Sequence, residues 1–190
     1  VGSEMCIRDR SLPDILGTLI EQHNGIILVT GPTGCGKSTT IASLINYINE
    51  TKARHVITIE DPVEYVFECK NSIISQRQIG VDTKTFADGI KYALRQDPDV
   101  IFIGEIRDKE TMTAALKAAE TGHLVLSTLH TNDAVQTINR VVNMFDEANR
   151  YLIRKQLSET LRATIAQKLV YSEKMQKRFP ACEIMVVTST

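Results

Sequence analysis

The run Gly31-Pro32-Thr33-Gly34-Cys35-Gly36-Lys37-Ser38 fits G-x-x-x-x-G-K-[ST] without a gap and constrains the fold more than any other stretch. Ahead of it stands Ile26-Ile27-Leu28-Val29, the continuous apolar run of a strand buried on both faces. Behind it, apolar residues recur at 41, 44, 45 and 48, the spacing of a helix. Strand, glycine turn and helix in that order aim the loop N–H groups and the positive end of the helix at one point, where a phosphate fits. Lys37 then reaches the β- and γ-phosphates of a nucleotide, and the Ser38 hydroxyl ligates Mg²⁺. The expected nucleotide contacts run from Gly31, Pro32, Thr33 and Gly34 through Cys35, Gly36, Lys37 and Ser38 to Thr39, with ATP and Mg²⁺ as cofactors.

A chain of 190 residues can bury one full core around this unit. Its net charge of −1 gives no global attraction to nucleic acid or an anionic membrane. Apolar runs fall short of the roughly 20 residues that span a bilayer. Cys6, Cys35, Cys69 and Cys182 are far apart and form no C-x-x-C pair, so neither a zinc site nor a disulfide framework is expected, and a reducing cytoplasm is the natural setting.

Strands are expected at 26–30, 56–60, 100–103 and 123–128, and helices at 38–49, 85–95, 110–121, 133–144 and 149–168. This alternation implies a mostly parallel sheet with helices on both faces, an α/β domain. Residues 64–82 break the rhythm, and 73–79 suit an extra hairpin. Residues 1–10 are expected to be non-native: Glu4 to Asp9 resembles a translated sequencing-library adapter. The remainder, 11–190, reads as one domain and as a fragment of a longer protein.

Ligands of a parallel sheet gather at the carboxyl ends of its strands, so acids at those ends are the next candidates. Val100-Ile101-Phe102-Ile103-Gly104 leads into Glu105, which either positions or deprotonates an attacking water, or holds a water on Mg²⁺. Val56 to Ile59 leads into Glu60-Asp61-Pro62-Val63-Glu64, where Glu60 and Glu64 suit metal or water positioning near a γ-phosphate, or a solvated acidic turn. His123 and His130 flank a further strand at opposite ends. His130, on the carboxyl side with Thr128 and Thr131, is the better phosphate sensor; either histidine reads equally as structural. Arg107 either stabilises transferred charge or forms a salt bridge.

Four blocks now stand in order: GPTGCGKST (31–39), ITIEDPVEY (57–65), RQDPDVIFIGEIRD (95–108) and TGHLVLSTLHTNDA (121–134). Together they resemble the Walker A, Asp, Walker B and His boxes of the secretion ATPase superfamily. The resemblance implies a RecA-like P-loop NTPase core and a homo-hexameric ATPase, cytoplasmic and peripheral at the inner membrane, docked on a pilus platform protein. It makes Glu105 the catalytic acid, puts Glu60 and Glu64 in the Asp box, and adds His123 and His130 through the His box.

The tail, with Asn139-Arg140-Val141-Val142, Leu157 to Leu161, Ile165 to Val170 and Cys182-Glu183-Ile184-Met185, resembles the retraction branch, the PilT family. The four-cysteine insertion usual in assembly and type II export ATPases is absent from the sequence. Powering of type IV pilus retraction, hence twitching motility, is the expectation; pilus assembly or type II export is the alternative. A nucleic-acid-translocating RecA-like motor is the rival of another class, disfavoured because no basic stripe or set of stacking aromatics is visible. Cys35 replaces the serine common in the family's loop and adds a candidate oxidation site.

Overall fold

Five short apolar runs in this chain are buried on both faces, and such strands are stable only inside a sheet covered on each side. The structure, a computed structural model, describes residue 13 and residues 15–173 and 176–188. The adapter-like segment 1–10 lies outside the described residues. The elements in chain order are α1 (Ile15–Leu19), β1 (Gly25–Thr30), α2 (Lys37–Thr51), β2 (His55–Glu60), β3 (Ile73–Gln78), α3 (Phe86–Ala93) and β4 (Val100–Ile103). They continue with α4 (Lys109–Glu120), β5 (Leu124–Leu129), α5 (Ala134–Asn143), α6 (Glu147–Thr160), β6 (Leu161–Ser172) and β7 (Lys177–Val186).

The strands form one seven-stranded sheet in the order β3-β2-β4-β5-β1-β6-β7. All pairings are parallel except β6 with β7. Alternate residues divide between two cores, as the period of two in a strand requires. Ile26, Leu28, Ile57, Ile59, Ile101, Ile103 and Val125 face α3, α4, α5 and α6. Ile27, Val29, Val56, Val100, Phe102, Leu124 and Leu126 face α1 and α2. Helices therefore cover both faces, as the alternation of strands and helices implies.

Helix starts follow local chemistry. Thr85, Asp108 and Asp133 each cap a helix by accepting a hydrogen bond from the backbone N–H three residues on, satisfying donors that an α-helix leaves open. Among the described residues, no helix is long and apolar enough to cross a membrane.

Two expectations need correction. The segment 73–79 is not a hairpin: β3 is a parallel edge strand, paired to β2 from His55↔Ile73 to Glu60↔Gln78. The helix expected over 149–168 ends at Thr160, and Leu161–Ser172 is strand β6. Ala163 and Ile165 alternate onto the α2 side of the sheet while β6 pairs with β1, and the uncovered side of β1 supplies the hydrogen bonds that decide the matter. The antiparallel strand β7 then adds to β6 from Ala163↔Val186 to Ser172↔Lys177.

Candidate functional site

Because β1, β2, β4 and β5 run parallel, their carboxyl ends open on one edge of the sheet, and the candidate residues that follow them converge there. A cavity of about 520 Å³ occupies this edge. The glycine loop contributes Thr33, Gly34, Gly36, Lys37, Ser38 and Thr39 to its wall. The end of β2 contributes Glu60, Asp61 and Glu64; the end of β4, Glu105 and Arg107; and the end of β5, Thr128 and His130.

The loop needs its glycines at two points. Gly31 has φ 144°, and a Cβ there would lie 2.3 Å from the Gln167 carbonyl oxygen and 2.6 Å from Cys35 Sγ. Gly36 has φ 92° and caps α2 with no side chain, so the first-turn N–H groups of the helix have no side-chain acceptor and border the cavity. Lys37 is buried, and its Nζ donates to the Gly31 and Pro32 carbonyls at 3.0 and 3.1 Å. Gly31, Pro32 and Cys35 build the loop without lining the cavity. The Cys35 side chain is 3% exposed, so the expectation of an oxidisable loop thiol is corrected by its burial against Gly31.

Glu105 is fixed from both sides. Gly104 N–H donates to the Ile59 carbonyl at 2.8 Å, Thr128 Oγ1 donates to the Gly104 carbonyl at 2.7 Å, and Ile106 N–H donates to the Thr128 carbonyl at 3.2 Å. The carboxylate then meets two partners. Arg107 Nε and Nη2 both lie 2.7 Å from Oε2, and His130 Nε2 lies 2.9 Å from Oε1. Burial pushes the Glu105 carboxyl up, but the hydrogen bond and charge of Arg107, with the charges of His130 and Lys37, outweigh it and hold the group below its ordinary range. Arg107 is raised in turn by its hydrogen bond to Glu105. Arg107 and Glu105 thus form a salt bridge at the mouth of the cavity.

Glu60 is buried at the end of β2, where Thr58 Oγ1 and Gln76 Nε2 donate to Oε1 at 2.6 and 3.3 Å. Gln76 also donates to the Tyr65 carbonyl at 2.7 Å, and Gln78 Oε1 accepts from Val63 N–H at 3.3 Å, so β3 holds the segment that carries Glu64. The Asp61–Pro62 peptide within it is cis. Tyr65 Oη lies 3.0 Å from Thr39 Oγ1 and ties this segment to α2.

His123 is not brought to the cavity. It precedes β5 at the amino end of the sheet, with Nδ1 at 3.0 Å from the Ala118 carbonyl oxygen and 3.2 Å from Thr121 Oγ1. The length of β5 separates His123 from His130 and from this chain's cavity. Sequence reasoning missed Phe86 and Phe102 in the wall, and it missed Gln167 behind the loop. Gln167 carried one weak signal, an amide among Ala163, Ile165, Ala166, Leu169 and Val170, hidden once residues up to 168 were read as a helix.

For Mg²⁺, the cavity offers hard oxygen donors: the Ser38 hydroxyl and the carboxylates of Glu60 and Glu105. No three His, Cys, Asp or Glu side chains cluster as a self-sufficient metal site among the described residues.

A parallel sheet, a glycine loop at the end of β1 and an acid at the end of β4, separated by β5, define the P-loop class of α/β domains. Within that class the chain belongs to the type II/IV secretion system protein family, whose family model matches residues 4–188. It is 47% identical to the twitching motility protein of Neisseria gonorrhoeae over 96% of this chain and 49% of the relative. It is 44% identical to the type IV pilus retraction ATPase PilT of Pseudomonas aeruginosa over 97% of this chain and 53% of the relative. Its fold matches the crystal structure of the pilus retraction motor PilT with bound ADP, with a TM-score of 0.93 and 52% identity over 97% of this chain and 53% of that one. The chain spans about half the length of these relatives.

Proposed function

We propose that this chain is the nucleotide-hydrolysing core of a type IV pilus retraction motor, acting on Mg-ATP. The observation that carries the reading is the opposition, across one cavity, of Lys37 and Ser38 on the glycine loop to a fixed Glu105 carboxylate. Similarity to retraction proteins over nearly the whole chain supports the biological role.

In this account the loop amides and Lys37 neutralise the β- and γ-phosphates, and the Ser38 hydroxyl would hold Mg²⁺. Mg²⁺, when bound, spreads the charge that builds on the phosphate oxygens. Glu105 accepts a hydrogen bond from the attacking water. The carboxylate aims that water at the γ-phosphorus and takes up its proton as the new bond to phosphorus forms. Arg107 and His130 fix the direction of the carboxylate. Glu60, through Glu64 N–H at 3.5 Å, helps to order the acidic segment on the opposite wall. A homo-hexamer, a cytoplasmic position at the inner membrane and a pilus platform partner belong to the same proposal.

The test is Glu105→Gln in the full-length protein. ADP and ATP affinity should stay within about threefold, while phosphate release falls about 100-fold or more. Undiminished turnover would move the role to Glu60 or Glu64.

A further inference from the structure

We infer that Gln167 is a positioning residue of the phosphate loop, holding it in its binding shape from a strand far away in the chain. The inference rests on reading the cavity as a nucleotide site. Gln167 lies on β6 and is 2% exposed. Its amide uses both ends on the loop–helix unit: Nε2 donates to the Cys35 carbonyl at 2.6 Å, and Oε1 accepts from Thr40 Oγ1 at 2.8 Å. Its backbone oxygen also crowds Gly31, at 2.3 Å from where a Cβ would stand. One residue thus touches the start of the loop, its last turn and the first turn of α2.

The peptide plane turns this contact into a functional one. In a planar trans peptide the carbonyl and the following N–H point in opposite directions. With the Cys35 carbonyl drawn back toward β6, the Gly36 N–H is turned the other way, toward the cavity that Gly36 lines. A loop with three glycines samples many shapes when free. A buried amide that fixes one peptide plane removes that freedom before any phosphate arrives, and preorganisation of this kind appears as affinity. The amide also has the right polarity, giving a donor to a carbonyl and an acceptor to a hydroxyl. A carboxylate supplies no donor and a thioether supplies almost nothing.

The experiment uses the full-length protein and compares wild type, Gln167→Met, Gln167→Glu and Thr40→Val. ADP affinity is measured by fluorescence titration, kcat and KM by phosphate release, and thermal unfolding without nucleotide. Gln167→Met preserves volume, and loss of its hydrogen bonds should weaken ADP five- to tenfold, about the effect of one or two neutral hydrogen bonds. KM should rise in parallel and kcat should stay within about threefold. Gln167→Glu should bind more weakly than Gln167→Met, because its carboxylate faces the Cys35 carbonyl with no donor between them. Thr40→Val should have a smaller effect and should add little to Gln167→Met in the double variant. A purely structural role would instead lower the nucleotide-free melting temperature and leave affinity unchanged. Should Gln167→Met fail to fold, Gln167→Asn, too short to span both contacts, replaces it with the same expectation. ADP affinity equal to wild type overturns the inference alone. Failure of the wild type to bind ADP overturns the nucleotide reading and the inference with it.

Discussion

Glu105 stands between two cationic side chains of different kinds, a guanidinium that is always charged and an imidazole that is charged only when protonated. The net lowering of its pKa is a balance, with burial working one way and Arg107 the other. Arg107→Ala removes the opposing hydrogen bond and charge while leaving the burial, so the Glu105 pKa should rise. The acidic limb of the hydrolysis profile, set below the ordinary value of 4.5 by the intact pair, should then move to higher pH. Stability carries the same sign. A carboxyl with a depressed folded pKa contributes stability that is present above its unfolded pKa and lost as pH falls through the folded one. Arg107→Ala should therefore flatten the loss of stability below pH 4.5. Rate profiles and urea midpoints across pH check both, and an unmoved acidic limb would show that Arg107 does not tune Glu105. At this scale the site was half legible. Lys37, Ser38 and Glu105 could be found because each lies within a few residues of the strand end that aims it. Gln167 carried only an amide among apolar neighbours, and nothing local tied it to its partner Cys35, 132 residues away. His123 entered through the His-box resemblance, and in this chain it lies at the amino end of β5, away from the cavity.

At the scale of elements, β6 is where periodicity misled. Leu157, Leu161, Ile165 and Leu169 fall at helical spacing, while Leu161, Ala163 and Ile165 fall at strand spacing, and the sequence alone offers both. Pairing with β1 settles it, since β1 has β5 on one side and needs a neighbour on the other to stay buried. The β1 and α2 elements were legible because a run of four apolar residues and a clean helical stripe each allow a single reading. Ile165 is fully buried in the core beneath α2 and pairs with Val29 just ahead of the loop. Ile165→Ala should cost about 2–5 kcal/mol, the range for deleting a large buried aliphatic side chain. Urea unfolding followed by circular dichroism measures it, and a cost below about 1 kcal/mol would mean that β6 does not anchor the sheet beside β1.

Across the whole molecule, the direction of the strands makes the site. Parallel pairing of β2, β4, β5 and β1 brings residues from four separate blocks of sequence to one edge, although Lys37 and His130 are far apart in the chain. Strand and helix alternation made that architecture legible, while the position of β7, the one antiparallel strand, depends on β6 being recognised first. Among the described residues, two basic side chains besides the histidine line the cavity, Lys37 and Arg107, and Arg107 is paired with Glu105. The central claim is therefore that Lys37 and the loop around it bind a nucleotide phosphate. Titration of this chain with a fluorescent ADP analogue in the presence of Mg²⁺, alongside Lys37→Ala, tests it most directly. The account predicts saturable one-to-one binding that Lys37→Ala weakens by about ten- to a hundredfold, the worth of a charge-assisted hydrogen bond. Equal affinity in the two proteins, or no binding to the wild type, would contradict it.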